Sequence, residues 1–343
     1  MKTHINIPIF IPHLGCPNCC VFCNQRTISG VTEFDISTVK RQIDDAIATS
    51  EGKEREIAFF GGSFTGIDRE LMISLLEIAH GYVVSGEALG IRCSTRPDYI
   101  NDEILTILQE YGVKTIELGI QSISPAVLLH TKRGHTFDDI EKACRLVVNY
   151  GFELVGQMMV GLPSSSLEDE IVTAKFIAQS GAVAARIYPT IVFNSTELCD
   201  MTLSGEYTPL TLDDAVERSA VVYRILLDAG VDVIRLGLCA SDNLCDDAYY
   251  YAGPSHPALG ELVENEIYYN ILKEKFNSLT QRSDSYTVHV PRGDISKAIG
   301  QKKRNKIRIC DEFNITKLVF VEDDSLKAPE NLWVQERRTT ECT

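Results

Sequence analysis

Four cysteines lie within eight residues near the start of the chain, in the segment CPNCCVFC from Cys16 to Cys23. Taken as C-x3-C-x2-C, the spacing predicts that Cys16, Cys20 and Cys23 bind a [4Fe–4S] cluster. Three thiolates occupy one position on each of three irons, so the fourth iron stays open for another ligand. Cys19 is surplus to this scheme and is either a spectator or an auxiliary thiol.

Two other kinds of cysteine site fit the segment less well. Two C-x2-C pairs could bind zinc, but structural zinc pairs are normally separated by about a dozen residues or more so that they can converge. A redox C-x-x-C pair would leave Cys23 unexplained. The chain has 11 cysteines in 343 residues, and no export signal is expected from its first residues. An odd number spread over a large chain favours a reduced, cytoplasmic protein over a disulfide scaffold.

The cysteines follow the first of several short apolar runs that alternate with amphipathic stretches. Such alternation indicates βα units around a parallel sheet. We therefore predict an α/β fold, a partial (βα)6 barrel of the TIM type. The predicted strands are Ile5–His13, Glu56–Phe60, Ile91–Thr95, Thr115–Ile120, Leu154–Val160 and Ala184–Ile191. The predicted helices are Ile36–Ala48, Arg69–Val83, Asp102–Tyr111, Phe137–Tyr150 and Leu167–Ser180, with caps at Asp35, Asp68, Asn101 and Thr136.

Polar residues recur at every second position of several predicted strands, whereas strands buried on both faces are normally apolar. They are Arg92, Ser94 and Arg96 on the third strand, Glu117 and Gln121 on the fourth, and Arg186 and Tyr188 on the sixth. Such a pattern indicates a ligand-lined or wet barrel interior, because each group would otherwise be buried without a partner. The alternative is a structural layer of ion pairs, with Glu117 paired to Arg96 or Arg186.

A pair of glycines, Gly61 and Gly62, follows the second predicted strand and precedes Ser63. Chemistry in α/β barrels takes place at the carboxyl ends of the strands. Glycines there let the backbone approach a ligand closely, and exposed carbonyls can accept from an ammonium group. A tight turn is the plainer interpretation of two glycines taken alone.

Seven motifs along the chain resemble, in order, those of radical S-adenosylmethionine (SAM) enzymes. They are CPNCCVFC, FFGGSFT, CSTRPDYI, IELGIQS, KRGHT, MMVGLP and ARIYPTIV. From about Ile5 to Tyr207 the chain is most similar to the radical SAM half of the Elongator catalytic subunit. That resemblance implies a [4Fe–4S] cluster and SAM as cofactors, and tRNA as substrate. It also implies an electron donor such as a flavodoxin or ferredoxin, and cleavage of SAM to a 5′-deoxyadenosyl radical.

The resemblance carries over to individual positions. Cys16, Cys20 and Cys23 match the cluster ligands. The positions implied to bind SAM are Gly61, Gly62, Ser63, Ser94, Arg96, Glu117, Gln121 and Gly161. Glu117, Gln121 and Tyr188 are the catalytic candidates. Tyr188 and Cys239 are also considered as radical relays, although a buried tyrosine or cysteine is more often part of a core. Nothing after Gly237 resembles the acetyltransferase domain of the Elongator subunit.

Residues 286–322 predict strand, helix, loop, helix and strand, and resemble a minimal KH domain. In KH domains a G-x-x-G loop clamps the backbone of about four nucleotides. Here the loop is Gly300-Gln301-Lys302-Lys303, with a lysine in place of the second glycine. Six basic and no acidic residues lie between Lys297 and Arg308, although the chain has a net charge of −15. The expected RNA contacts are Gly300, Lys302, Lys303 and Arg304; a solvated charged face is the alternative.

The predicted domains are a barrel over residues 1–240, a helical connector over 241–280, a KH-like α+β appendage over 281–323 and a flexible tail over 324–343. The stretch Asn194–Pro209 is predicted to be a loop. With no run of 18 apolar residues, no membrane partner is expected. Three functions stay open: a radical SAM enzyme acting on RNA, one acting on a small molecule as coproporphyrinogen oxidase does, and a non-catalytic cluster-binding protein.

Overall fold

The computed structural model describes residues 4–11, 14–16, 20–24, 34–238, 249–280 and 283–337. Cys19 and Cys239 lie outside these residues. The described residues belong to two units. The first is drawn from Met1–Ala215 and Ile225–Ser255, and the second from Val216–Arg224 and His256–Thr343. No helix in the described ranges is both long enough and apolar enough to cross a membrane.

The first unit is built on a sheet of seven parallel strands in the order β1-β2-β3-β4-β5-β6-β8. The strands are His4–Phe10 (β1), Glu54–Phe60 (β2), Gly90–Thr95 (β3), Val113–Gln121 (β4), Glu153–Val160 (β5), Ala184–Pro189 (β6) and Asp232–Leu236 (β8). A separate antiparallel pair consists of Val192–Phe193 (β7) and Tyr250–Ala252 (β9). The curled parallel sheet, with β1 and β8 at its edges, confirms the predicted partial barrel.

Helices connect successive strands of this sheet. They are Val39–Ala48 (α1), Arg69–Val84 (α2), Asp102–Glu110 (α3), Pro125–His130 (α4), Phe137–Asn149 (α5), Leu167–Gln179 (α6), Glu197–Leu203 (α7) and Leu212–Asp228 (α8), the last shared between the units. The predicted caps form: Asp68 and Asn101 accept from backbone N–H groups of α2 and α3, and Thr136 forms a capping box with Asp139. Asp35 caps a 3-10 turn before α1.

The prediction of a loop over Asn194–Pro209 is wrong, because α7 lies within it. The Thr196 side chain caps this helix by accepting from the Cys199 N–H, and Leu198 is fully buried. A seven-residue helix completes fewer than two turns, so it leaves almost no periodic pattern in the sequence. The six-residue α4 escaped prediction for the same reason.

The second unit contains three further helices and a three-stranded sheet. Its elements are Leu259–Asn277 (α9), Ser285–Val290 (β10), Ile295–Ile299 (α10), Arg304–Phe313 (α11), Lys317–Glu322 (β11) and Trp333–Glu336 (β12). In the order β11-β10-β12, β10 is parallel to β11 and antiparallel to β12. The predicted strand–helix–loop–helix–strand order is confirmed.

Part of the stretch 324–343, which was predicted to be a flexible tail, forms β12. Trp333 pairs with His289 across the strands, and their rings stack with centroids 3.7 Å apart. This cross-strand contact joins residues far apart in sequence, which no local pattern reveals. Likewise α9, predicted as part of a connector, packs within the second unit: Glu266 on α9 accepts from Arg308 on α11 at 2.6 Å.

One face of the seven-stranded sheet carries a buried layer of ion pairs. Glu117 on β4 is fully buried, and its two oxygens accept from Arg92 on β3 at 3.0 Å and from Arg186 on β6 at 2.8 Å. Gln157 on β5 donates to Glu117 at 2.8 Å, and Arg92 extends the layer to Glu56 on β2. Burial alone would raise the pKa of Glu117, but Arg186 and Arg92 lower it below its ordinary value.

We expect Glu117→Gln to destabilise the apoprotein. The amide keeps the side-chain shape but removes the charge that Arg92 and Arg186 share. Removing one partner of a buried ion pair typically costs about 3–5 kcal/mol. Urea denaturation of wild type and variant measures the loss. The control is Glu103→Gln, whose exposed pair with Arg69 should contribute at most about 1 kcal/mol. Equal unfolding midpoints for wild type and Glu117→Gln would contradict the prediction.

Candidate functional site

The cysteine loop follows β1 at the carboxyl edge of the sheet. Cys20 is buried, Cys23 is half-buried and Cys16 is exposed. The Cys23 N–H donates to the Cys20 carbonyl at 3.0 Å and closes a turn between them. Between these two cysteines, the Val21 N–H donates to the Thr131 carbonyl, which follows α4. The second half of the loop is thereby fixed to the body of the first unit.

The cysteine loop and the double-glycine turn touch backbone to backbone. The Ser63 N–H donates to the Leu14 carbonyl at 3.0 Å. A Cβ on Gly62 would lie 2.3 Å from the Leu14 oxygen, and one on Gly15, where φ is +73°, would lie 2.2 Å from the Ser63 oxygen. No side chain fits either position without moving backbone. The structure thus brings Gly62 and Ser63 against the segment that leads into Cys16.

Arg133, in the KRGHT motif, contacts a predicted cluster ligand. It is buried, and its Nη1 donates to Cys20 Sγ at 3.2 Å while its Nη2 donates to the Gly119 carbonyl at 2.5 Å. A guanidinium beside a sulfur stabilises negative charge on that sulfur. The motif alone predicts no role for Arg133, since nothing in local spacing ties residue 133 to residue 20.

Arg96 holds the segment that carries Arg133. Its guanidinium donates to both oxygens of Asp98, at 2.9 and 3.0 Å, and to the Arg133 carbonyl at 2.5 Å. His135 Nδ1 lies 3.5 Å from Asp98. Burial alone would raise the pKa of Asp98, but hydrogen bonds from His135 and Arg96 lower it to about 2. Burial lowers the pKa of His135. A charged network therefore fixes this loop beside Cys20.

Gln121, at the end of β4, occupies the left-handed region with φ of +64°. The β4–β5 register shifts between Gly119 and Gln121, which turns the last residue of the strand. Gln121 Oε1 is buried and has no hydrogen-bond partner among the described residues. Buried polar atoms are normally paired, and non-glycine residues in this backbone region cluster at functional sites. An incoming polar ligand would satisfy this oxygen.

Two other predicted site residues lie in the buried polar layer. Ser94 Oγ is 3.4 Å from Glu117, and Gln157 donates to Ser94 at 3.3 Å. Tyr188 hydrogen-bonds to Arg186, and burial raises the pKa of its phenol. The alternative of a structural ion-pair layer is therefore present in the fold. The two arginines that pair with Glu117 are Arg186 and Arg92. Arg96, the other predicted partner of Glu117, pairs with Asp98 instead.

The last two predicted positions are held by hydrogen bonds. Ser63 is fully buried, and its hydroxyl lies 2.9 Å from Thr95 Oγ1 and accepts from the Arg96 N–H at 3.2 Å. Gly161 follows β5 with φ of +80°. Its N–H donates to Glu170 at 2.6 Å and its carbonyl accepts from Tyr207 at 2.6 Å. Both residues therefore sit in rigid turns after strands of the sheet.

The donor chemistry of the cysteine loop suits an iron–sulfur cluster. Among the described residues, no three His, Cys, Asp or Glu side chains stand close enough together to hold a metal ion. Cys16, Cys20 and Cys23 nonetheless offer three thiols on one short loop, and Arg133 supplies a cation beside the buried one. Thiolates with hydrogen bonds to their sulfurs are the ligands that such clusters use. The unpaired Gln121 oxygen suits a polar ligand nearby.

Two family models match this chain. The model of the radical SAM superfamily matches residues 10–177, and that of the radical SAM C-terminal domain matches residues 183–269. The chain belongs to the radical SAM superfamily. Its cofactors are those of the superfamily, a [4Fe–4S] cluster and SAM. The first match covers all three predicted cluster ligands and both glycines of the turn.

Several known proteins resemble this radical SAM chain. An uncharacterized protein of Methanocaldococcus jannaschii is 32% identical over 61% of this chain and 67% of its own length. Human Elongator complex protein 3 is 34% identical over 63% of this chain, which spans 46% of that protein. The tRNA uridine(34) acetyltransferase of M. jannaschii is 34% identical over 36% of this chain, which spans only 23% of that protein.

Solved structures agree with the fold. The archaeal Methanocaldococcus infernus Elp3 matches with a TM-score of 0.61 and 20% identity, over 80% of this chain and 64% of that one. Coproporphyrinogen III oxidase from Escherichia coli matches with a TM-score of 0.50 and 15% identity, over 67% of this chain and 53% of that one. At these identities the matches establish the architecture alone.

We expect Arg133→Gln to lower the reduction potential of the reconstituted cluster. The arginine brings positive charge to Cys20, which stabilises the more negative reduced cluster. A redox titration followed by electron paramagnetic resonance measures the midpoint, after iron content shows equal cluster loading. Arg145→Gln, an exposed change on α5, serves as the control. An unchanged midpoint in fully loaded Arg133→Gln would show that the contact with Cys20 does not tune the cluster.

Proposed function

We propose that this chain is a radical SAM enzyme that modifies RNA, with tRNA as its substrate. The cysteine loop, packed against the double-glycine turn and touched by Arg133, is the observation that carries the radical chemistry. The basic loop of the second unit supports RNA as the substrate. This proposal does not include the complete activities of the longer relatives, such as acyl transfer.

In this proposal Cys16, Cys20 and Cys23 hold the cluster through their thiolates. When bound, the cluster supplies the electron that cleaves SAM to methionine and a 5′-deoxyadenosyl radical. Gly61 and Gly62 form the turn that SAM would approach, and Gly62 lets this turn pack against the Leu14 carbonyl. Gln121 offers its unpaired oxygen to SAM as an acceptor. Together these groups would orient SAM in a site enclosed by protein, which limits quenching of the radical by water.

Glu117 and Tyr188 take supporting roles in this scheme. Both oxygens of Glu117 already accept from arginines, so Glu117 is better suited to position Arg186 and Arg92 than to bind SAM directly. Tyr188 lies on the same face, next to Arg186, and burial raises the pKa of its phenol. A protonated phenol can donate a hydrogen atom or a hydrogen bond to a substrate, so Tyr188 remains the catalytic candidate of this layer.

RNA as the substrate is supported by charge and by relatives. Lys302, Lys303 and Arg304 are exposed at the start of α11, in a chain with a net charge of −15. Cations concentrated at one loop of an acidic chain suit contact with phosphates. Two relatives are a tRNA uridine(34) acetyltransferase and Elongator complex protein 3. The first of these is named for a tRNA uridine, which supports RNA as the substrate of this chain.

Formation of 5′-deoxyadenosine tests the whole proposal. The protein is reconstituted anaerobically with iron and sulfide, then given SAM and dithionite, with and without bulk tRNA. We expect 5′-deoxyadenosine from wild type, an increase with tRNA, and none from the Cys16/Cys20/Cys23 triple alanine variant. Equal yields of 5′-deoxyadenosine with and without tRNA would favour a small-molecule substrate. A full cluster without any 5′-deoxyadenosine would contradict the radical chemistry itself.

Charge reversal at the loop tests the RNA contact separately. The double variant Lys302→Glu/Lys303→Glu should weaken tRNA binding at least tenfold at 100 mM salt, on the order expected for losing two phosphate contacts. It should also reduce the salt dependence of the binding constant. Lys142→Glu/Lys175→Glu makes the same charge change at exposed helix positions of the first unit and should bind like wild type. Equal losses in both double variants would point to net charge rather than to this loop.

A further inference from the structure

A cavity of about 400 Å³ opens on the second unit beside the loop that joins α10 to α11. Val216, Leu262 and Ile307 give it apolar surface, while Gln301 and Lys302 from the loop add polar groups. We call it the α9–α11 cavity. Its volume falls in the range of about 300–1,000 Å³ that is typical of small-ligand sites. Neither the cysteine site nor the family comparison assigns it a role.

The loop at the rim of this cavity is held in a strained shape. Lys302 and Lys303 both lie in the left-handed region, with φ of +53° and +65°. This region is unfavourable for an L-residue, because its Cβ crowds the following carbonyl oxygen. Asn305 is buried and donates to the Asn265 carbonyl at 2.6 Å, and a Cβ on Gly300 would lie 2.8 Å from Asn305. The buried asparagines therefore fix the loop, and strain fixed in this way is typical of binding sites.

The two lysines of this loop differ from the other cations nearby. Lys297 pairs with Glu264 at 3.0 Å, and Arg308 pairs with Glu266 at 2.6 Å. Across the described part of the chain, no salt bridge involves Lys302 or Lys303. Both side chains are exposed. Two uncompensated positive charges therefore stand at the rim of the α9–α11 cavity, where an anionic group of a ligand can meet them.

A planar group is fixed in the lining of the same cavity. The Arg308 guanidinium lies 3.3 Å from the centre of the Tyr269 ring and donates to both oxygens of Glu266. Stacking and the double hydrogen bond together hold its plane. Unpaired bases bind to proteins by stacking on guanidinium planes and packing on apolar side chains. The α9–α11 cavity combines both kinds of surface with cations at its rim.

We propose that the α9–α11 cavity binds one unpaired nucleotide of the RNA substrate. The base enters between Leu262, Ile307 and Arg308, and its phosphate lies at Lys302 and Lys303. This inference rests on the proposed function, because it takes RNA as the substrate. It adds a requirement for a single-stranded segment, since a base held in a duplex cannot enter a cavity.

The chemistry favours a nucleotide of a longer strand over an isolated anion or an acidic peptide. A free phosphate would use the lysines but leave the apolar surface and the cavity volume unexplained. A carboxylate or phosphate of a peptide would also leave the apolar surface and the cavity volume unexplained, unless the peptide carried a planar ring as well. The cations Arg304 and Lys306 continue along α11 beyond the loop. They offer further contacts to neighbouring phosphates of the same strand.

Scanning with abasic nucleotides tests this inference on the intact chain. A fluorescent single-stranded RNA oligonucleotide is titrated by anisotropy, and single abasic sites are then placed along it in turn. We expect one position to bind roughly 5- to 150-fold more weakly to wild type, the range for losing one stacked base. Ile307→Glu, at a half-exposed lining position, should bind the intact oligonucleotide more weakly by a similar factor and show no further abasic penalty.

The matched control is Val172→Glu, an exposed branched side chain on α6 of the first unit. It should bind every oligonucleotide as wild type does. RNA binding could depend on Lys302 and Lys303 and yet show no abasic penalty at any position. That result would contradict a base in the α9–α11 cavity but would still agree with RNA as the substrate. Absence of binding to any RNA would overturn the proposed substrate and the pocket together. Equal penalties in wild type and Ile307→Glu would place the base elsewhere and overturn the pocket.

Discussion

Five neighbouring strands of the large sheet are joined on one face by buried side chains of alternating charge. The series runs from Glu56 through Arg92 to Glu117 and then to Arg186, with Gln157 bonded to Glu117. Each charge is costly to bury alone and is tolerated because its neighbours are opposite in sign. The network ties β2 to β6 in fixed register. The strand ends, and hence every residue of the candidate site, depend on that register.

The cysteine loop depends on this framework through its neighbours rather than through its own sequence. The turn after β2 packs against Leu14 and Gly15 at distances that exclude a Cβ. The segment after α4 contributes Arg133 to Cys20 and is itself held by Arg96 at the end of β3. The turn after β2 and the segment after α4 therefore meet at one loop, and the end of β3 holds the second of these segments. A carboxyl edge of this kind can bring together residues that are more than a hundred positions apart.

Both units rely on unusual backbone conformations, at glycines and at Gln121 in the first and at two lysines in the second. In the first unit, Gly15 and Gly62 allow two backbones to touch. In the second, Lys302 and Lys303 occupy the same left-handed region without the freedom of glycine, and buried asparagines hold them there. Lys303 stands where the G-x-x-G pattern has its second glycine, and it adds a cation at a backbone conformation that glycine adopts readily. This explains how a departure from the G-x-x-G pattern can suit contact with a polyanion.

The sequence by itself determined the long helices, the first six strands of the large sheet and the chemistry of the cysteine loop. Helix periodicity and local caps such as Asn101 and Thr136 act within a few residues, so the helix starts were predictable. Cysteine spacing is equally local, and it indicated the cluster directly. Alternating polar residues on β3, β4 and β6 predicted a polar interior, but the spacing left Arg96 and Arg186 open as partners of Glu117. Only the register of the sheet assigned Arg92 and Arg186 to Glu117 and left Arg96 to Asp98.

Tertiary structure alone decided the contacts that join distant parts of the chain. Arg133 meets Cys20 because two loops converge at one sheet edge, and Trp333 forms a strand because His289 lies across from it. Short helices such as α7 are stabilised by caps and by burial. Their apolar pattern is too short to be detected in the sequence. The α9–α11 cavity requires the packing of three segments that no linear motif connects. Local patterns reveal what a residue can do, and packing decides which partner it meets.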